Sequence, residues 1–181
     1  KQVSKKITRV DGVIISDYNK GICSELVLND IITKANELQI PVFVDPKGKK
    51  WDKYYGATVI TPNLKEAEGV IGRELKNDED IEIAGLEICN NLNLNACLIT
   101  KGANGMSYIS ENIKLHVRSE AKEIYDVSGA GDTVIASFAS GIVAGFDPKT
   151  VTRFANKAAG IVVGHIGTTA ITISELKEHS K

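Results

Sequence analysis

The sequence predicts an α/β fold, a mainly parallel sheet with helices on both faces. Three observations lead there. Short apolar runs rich in β-branched residues alternate with stretches of helical periodicity. Those runs are nearly continuously apolar, as strands buried on both faces must be. With 181 residues, 43% of them apolar and 25% charged, the chain is long enough to bury one core of ordinary size.

Gly12–Ser16 and Pro41–Val44 read as strands, and between them Ser24 to Leu38 sets Val27, Ile31, Ala35 and Leu38 at helical spacing. This is a βαβ unit. Ala57 to Thr61 reads as the next strand, Asn63 to Ile71 as a short helix, Asp80 to Leu92 as a longer one, and Ala96–Thr100 as another buried strand. Gly105 to Ser110 and Lys114 to Val117, parted by Glu111-Asn112, read as an antiparallel hairpin at one side of the sheet. A long helix should run from Ala130 to about Ala144. Its successor has Asp147 as N-cap, Pro148 at the first position and an apolar stripe through Phe154, Ala158 and Ile161. Thr172-x-x-Glu175 is the capping box of a last short helix. No repeat or Pro/Ser-rich linker divides the chain, so a single domain over 1–181 is expected.

Charge narrows the partners. The 22 Lys and Arg nearly cancel the 23 Asp and Glu and are spread along the chain, so neither nucleic acid nor an anionic membrane is an expected partner. No apolar run approaches the roughly 18 residues of a membrane span, and Lys1–Lys6 leads into no signal-peptide core, so a cytoplasmic location is expected. Cys23, Cys89 and Cys97 are odd in number and lack C-x-x-C spacing, which points to core packing. His116, His165 and His179 stand far apart with no acidic or thiol neighbour at ligand spacing, and are read as surface or capping residues.

In open α/β sheets ligands collect beyond the carboxyl ends of the strands. The most informative segment there is Asp126-Val127-Ser128-Gly129-Ala130-Gly131-Asp132. Gly129-Ala130-Gly131 lets the backbone approach a ligand closely, and the helix that follows points its unpaired N–H groups at it, forming an anion hole. Asp132 sets a carboxylate beside that hole, suited to remove a proton from an attacking hydroxyl. A Gly-rich turn with an acid favouring the helix dipole would look the same. Asn63-x-x-Glu66 fits a capping box and equally an amide and carboxylate organising water around Mg²⁺; both can hold together. Thr100-Lys101-Gly102-Ala103-Asn104-Gly105 is either a plain connection or a concavity of backbone donors for phosphate. Asp45-Pro46-Lys47-Gly48 is most simply a turn, with Lys47, like Lys20, solvated by default. Gly48-Lys49 is not a Walker A motif, since Phe43 stands where its first glycine is required and Lys50 replaces Ser/Thr. No G-x-G-x-x-G follows a strand, against a dinucleotide-binding enzyme.

Taken in order, Asn63-x-x-Glu66, Thr100-x-Gly102-x-x-Gly105 and Asp126-x-x-Gly129-Ala130-Gly131-Asp132 resemble the carboxyl-terminal part of the PfkB/ribokinase family of sugar kinases. Ser16–Gly21, Val44–Gly48, Gly56–Asn63 and Asp126–Val134 look more narrowly like the heptose-7-phosphate kinase domain of ADP-heptose synthesis proteins, which feed lipopolysaccharide core assembly. The resemblance runs from about Asp11 to Leu176. It implies a ribokinase-like fold and ATP-dependent phosphorylation of a sugar phosphate, D-glycero-D-manno-heptose 7-phosphate going to the 1,7-bisphosphate. It implies Asp132 as catalytic base, Gly129, Ala130 and Gly131 as the anion hole, and Asn63 and Glu66 as the Mg²⁺-organising pair. Thr100, Gly102 and Gly105 match the loop along the ATP phosphates, Asn156 a position lining the nucleotide pocket, and Asp126 a residue that helps bind a monovalent cation such as K⁺ in some relatives. Lys20 and Lys47 are candidates for attracting the substrate's phosphate.

The family's amino-terminal half, with its sugar-binding segment and β-rich lid, has no counterpart in the matched region. The chain is therefore expected to be the carboxyl-terminal, nucleotide-binding portion of such a domain, inactive alone and with strand edges that favour self-association. The nucleotidyltransferase half of bifunctional versions is absent from the 181 residues as well. Phosphorylation of another sugar, and a nucleotide-binding remnant without turnover, are the readings left beside it.

Overall fold

The computed structural model describes residues 3, 6–121, 125–167 and 169–178. Among them six strands form one sheet in sequential order: β1 (Val13–Ser16), β2 (Val42–Asp45), β3 (Val59–Ile60), β4 (Ala96–Thr100), β5 (Met106–Ile109) and β6 (Lys114–Val117). β1 to β4 run parallel, while β5 and β6 turn back antiparallel as the predicted hairpin. The helices are α1 (Glu25–Glu37), α2 (Leu64–Ile71), α3 (Asp78–Leu92), α4 (Ala130–Val143), α5 (Pro148–Val162) and α6 (Ile173–Glu178).

Strand alternation sorts the core into two layers. Val42, Val44, Ile60, Cys97 and Ile99 point to one face and pack with Leu28 and Ile32 of α1, Ala67 of α2 and Ile81, Ala84 and Ile88 of α3. Parallel strands laid down in one direction with same-handed crossovers place their helices on one side, which is where α1, α2 and α3 lie. Phe43, Val59, Ala96 and Leu98 point to the other face, against Val134, Ile135 and Phe138 of α4 and Val151 and Ala155 of α5. Phe138 anchors this layer, its ring 6.2 Å from that of Phe43 and 5.8 Å from that of Tyr108. Strands buried on both sides thus explain the unbroken apolar runs.

Local signals set the helix ends. Asn63 and Glu66 form a reciprocal capping box at α2, Asp147 accepts from the N–H groups of Lys149 and Thr150 at α5, and Thr172 with Glu175 caps α6. α3 begins two residues before the predicted Asp80, because Asn77 caps it by accepting from the Asp80 N–H. β3 is limited to two residues, although the Thr58 and Thr61 N–H groups on either side of it donate to the Val42 and Val44 carbonyls of β2.

Two predicted stripes need correction. On α1 the buried residues are Leu28, Ile32 and Ala35; Val27 is 41% exposed and Leu38 also faces outward. The helix is rotated by one position because Leu28 and Ile32 reach the β1–β2 surface. On α5, Phe154 is 41% exposed while Val151, Ala155, Ala158 and Ile161 are buried. The short side chains let α5 pack close to the sheet and leave the large ring outside. β1 is an edge strand among the described residues, and Ile14 on it is 46% exposed.

Candidate active site

The parallel strands end in a row, and the sequence-predicted motifs follow them. After β3, Asn63 bridges to Thr100 in parallel fashion and Pro62 accepts from the Thr100 N–H, so the Asn63-x-x-Glu66 turn and the Thr100 loop lie side by side. A cavity of about 140 Å³ opens beside them, lined among others by Thr100, Gly102, Gly105, Ala130, Gly131 and Asn156. Residues of the Thr100 loop and of the Gly129–Asp132 turn therefore line one cavity together with Asn156, whereas Asn63, Glu66 and Asp132 stand outside its lining.

Gly129 is the N-cap of α4, with φ of 80° in the left-handed region that glycine adopts freely. No side chain caps this helix. The N–H groups of its first turn have no intrahelical acceptor, so a positive helix end is presented at the Ala130–Gly131 wall of the cavity. Asp132 is the next residue. Its carboxylate turns toward the carboxyl end of β1, where the Tyr18 hydroxyl donates to both oxygens at 3.2 and 3.3 Å and Ser16 Oγ approaches at 3.5 Å. Asp126 accepts from the Ser128 N–H at 2.8 Å, a bond that holds its carboxyl below the usual range.

The acidic groups sit unequally. Burial first, then the charges of Glu66 and Asp132, push the Asp45 carboxyl up to about 6. Glu66 Oε2 accepts from the Asn63 N–H at 3.0 Å, and Glu66 Oε1 holds Lys47 Nζ at 2.8 Å. Lys47 is thus paired, not simply solvated. Its hydrogen bond to Glu66, and then the Glu66 charge, hold the ammonium pKa up. Below them Asp17 is buried; burial would raise its carboxyl, yet hydrogen bonds from Lys53 (2.5 Å), Tyr54 (2.7 Å) and the Asn19 N–H (2.7 Å) win and lower it.

The comparisons with known proteins follow this layout. Residues 3–175 match the family described as pfkB family carbohydrate kinase. The chain belongs to that family. Among pfkB relatives, it is 43% identical over 179 residues to the bifunctional protein HldE of Aeromonas salmonicida (strain A449), covering 97% of this chain and 36% of the relative. The HldE of Haemophilus ducreyi (strain 35000HP / ATCC 700724) is 41% identical over 177 residues, covering 97% and 37%. The chain therefore spans little more than a third of these curated relatives. Phosphofructokinase-2 from Escherichia coli in complex with potassium superposes with a TM-score of 0.84 at 19% identity, over 98% of this chain and 59% of that one. Arabidopsis thaliana ribokinase complexed with ribose and ATP gives 0.82 at 21%, over 93% and 54%. The ribokinase-like α/β fold is thereby established.

Within this pfkB scaffold several predicted residues take up places that spacing alone did not disclose. Asn156 lines the cavity, but its amide donates to the Arg118 carbonyl at 2.8 Å, so it fixes the segment leaving β6. Asn63 Oδ1 is spent on the Glu66 N–H. Lys20 is exposed on the loop after β1. His116 is half-buried and paired rather than free at the surface. It bonds Ser107 at 2.8 Å and Glu82 at 3.0 Å, with Asp78 at 3.3 Å, because β6 and α3 bring together residues far apart in sequence. His165 pairs with Glu175 at 3.1 Å, and His179 lies outside the described residues. Cys89 and Cys97 are buried and Cys23 is half-buried, as packing residues. Among the described residues no helix is long and apolar enough to cross a membrane.

Proposed function

We propose that this chain is the carboxyl-terminal, nucleotide-binding portion, over 1–181, of a ribokinase-like kinase domain that transfers the γ-phosphoryl group of ATP to a sugar phosphate. The observation that carries the reading is the shared cavity: Thr100, Gly102 and Gly105 line it together with Ala130 and Gly131, and Asp132 is the next residue in the chain. Thr100, Gly102 and Gly105 would run along the ATP phosphates, while the α4 end formed by Gly129, Ala130 and Gly131 takes the charge that develops on the transferring group. Asp132 accepts the proton of the acceptor hydroxyl as its oxygen bonds to γ-phosphorus, and the bond to ADP breaks in line. Asn156 keeps the β6 exit in place at the nucleotide.

A divalent cation fits the donor set. Glu66 Oε1 already holds a cation, the Lys47 ammonium, while Asn63 Oδ1 and Glu66 Oε2 are committed to the α2 cap. Among the described residues no group of three or more His, Cys, Asp or Glu is arranged to ligate a metal directly, so Glu66 and Asn63 would act on Mg²⁺ through water. Mg²⁺, when bound, neutralises phosphate charge. Asp126, held ionised by the Ser128 N–H, would serve a monovalent cation such as K⁺. The acceptor we favour is D-glycero-D-manno-heptose 7-phosphate, supported by the HldE relatives and by the Ser16–Gly21 and Val44–Gly48 strings; Lys20 and Lys47 would meet its phosphate.

Calorimetric titration of the 181-residue chain with a non-hydrolysable ATP analogue and Mg²⁺ tests the nucleotide half. Saturable binding, with about 2.7 kcal/mol of thermal stabilisation at a hundredfold excess over Kd, is expected. A folded chain that binds nothing overturns it. Phosphoryl transfer, assayed with several sugar phosphates on a chain extended to a complete kinase domain, then tests the acceptor.

A further inference from the structure

Glu66 divides its two oxygens between two tasks. Oε2 is committed to the Asn63 N–H and closes the α2 cap; Oε1 is the oxygen open to a cation, and Lys47 Nζ holds it at 2.8 Å. The two partners differ in freedom. The Glu66 side chain is only 15% exposed and is fixed by the cap, whereas that of Lys47 is 54% exposed. The Lys47 backbone is pinned, because its N–H donates to the Tyr54 hydroxyl at 3.1 Å and that hydroxyl donates in turn to Asp17. A flexible four-carbon stem on a fixed backbone can swing its ammonium without moving the loop. The surroundings also call for more positive charge: Glu66, Asp132 and Asp17 all press on Asp45, and the Lys47 ammonium relieves it.

We propose that Lys47 is an exchangeable counter-ion of Glu66: a divalent cation arriving at Glu66 displaces the ammonium, and the freed ammonium then captures a phosphate dianion. This rests on the reading of Glu66 as a metal-organising residue. It adds an order of events, because the lysine that fills the cation's place becomes the anion's receptor once the cation is present. Exchange of this kind couples the two ligands, and the coupling must be reciprocal: phosphate strengthens metal binding by the same factor as metal strengthens phosphate binding.

The experiment measures Mn²⁺ binding to the chain by electron paramagnetic resonance of the free ion, for the wild type, Lys47→Met and Glu66→Gln. Calorimetric binding of inorganic phosphate, with and without Mg²⁺, accompanies it. Lys47→Met should bind Mn²⁺ roughly twofold to fivefold more tightly, the range that losing a partly exposed ion pair allows. Glu66→Gln should bind it more weakly. Phosphate should bind the wild type more tightly with Mg²⁺ than without, and Lys47→Met should lose that gain. If Glu66→Gln loses affinity but Lys47→Met gains none, the exchange is wrong and the metal reading stands. Unchanged affinity in Glu66→Gln overturns both. Tighter Mn²⁺ binding in Lys47→Met with no metal dependence of phosphate binding in the wild type overturns the anion capture.

Discussion

The Tyr18 hydroxyl reaches from the end of β1 to both carboxylate oxygens of Asp132 in the first turn of α4, at 3.2 and 3.3 Å. A hydroxyl that donates to this carboxylate takes the position an acceptor alcohol must take before it loses its proton. Tyr18 is largely exposed, so its ring can leave without disturbing the core. The contact also ties together two segments 114 residues apart on opposite sides of the site.

Asp132→Asn should lower turnover of a complete kinase domain by about 10²–10⁴-fold while moving the melting temperature little, because its bonds from Tyr18 and Ser16 are exposed and an amide oxygen can still accept from Tyr18. Tyr18→Phe keeps the ring and removes the donor, so turnover should stay within about tenfold of wild type. Steady-state kinetics on both variants checks this. Near-normal turnover in Asp132→Asn would remove Asp132 from the base's role.

How much of this was legible in the sequence follows from the range of each interaction. The strands, the α2, α5 and α6 caps and the Gly129–Asp132 turn are written in adjacent residues, and periodicity or cap chemistry exposes them. The Asp17–Lys53–Tyr54 cluster spans 36 and 37 positions, so no local pattern could reveal it. Lys53 and Tyr54 lie in the short 3₁₀ turn Asp52–Tyr54, which carries no local motif of its own. Separations of 19 and 34 positions likewise hid the pairing of Lys47 with Glu66 and of His116 with Glu82. The one-position error on α1 has another cause: Val27 and Leu28 both suit a helix face, and only the sheet decides which turns inward.

Asp17→Ala should destabilise the chain by about 3–5 kcal/mol, since Lys53 and Tyr54 would lose a buried partner whose side chain is only 2% exposed. Asp17→Asn keeps the shape and should cost less. The sign with pH follows from the lowered carboxyl pKa: the stabilisation is present above the unfolded value near 3.8 and is lost as pH falls through the folded one. Urea melts from pH 7 down to pH 3 should therefore show wild type and Asp17→Asn converging in acid. A gap that stays constant would contradict the account.

Asp45 has the opposite sign. Its carboxyl is pushed up to about 6 from 3.8, so the folded state holds the proton more tightly than the unfolded one and loses stability as pH rises from about 4 to 6. Asp45→Asn removes that cost. In metal-free buffer the variant should exceed wild type by about 1 kcal/mol at pH 7, a value discounted for the solvent that reaches the group, and by nothing at pH 4. Thermal melts at the two pH values check this, and a variant less stable at pH 7 would refute it.

Two glycines separate folding from binding. Gly105 has φ of 85°, and a Cβ there would sit 2.0 Å from the Val117 carbonyl oxygen, so Gly105→Ala forces the hairpin apart and should cost more than about 2 kcal/mol. Gly131 lies in the first turn of α4 with open space where a Cβ would stand, so Gly131→Ala strains nothing and should gain up to about 1 kcal/mol of helix stability. Its methyl group would nevertheless project at the wall of the cavity where phosphate must approach the backbone. Denaturation and calorimetric titration with a non-hydrolysable ATP analogue should thus move in opposite directions for Gly131→Ala, more stable yet binding at least tenfold more weakly. If its affinity is unchanged, no phosphate group approaches the α4 end, and the anion hole lies elsewhere.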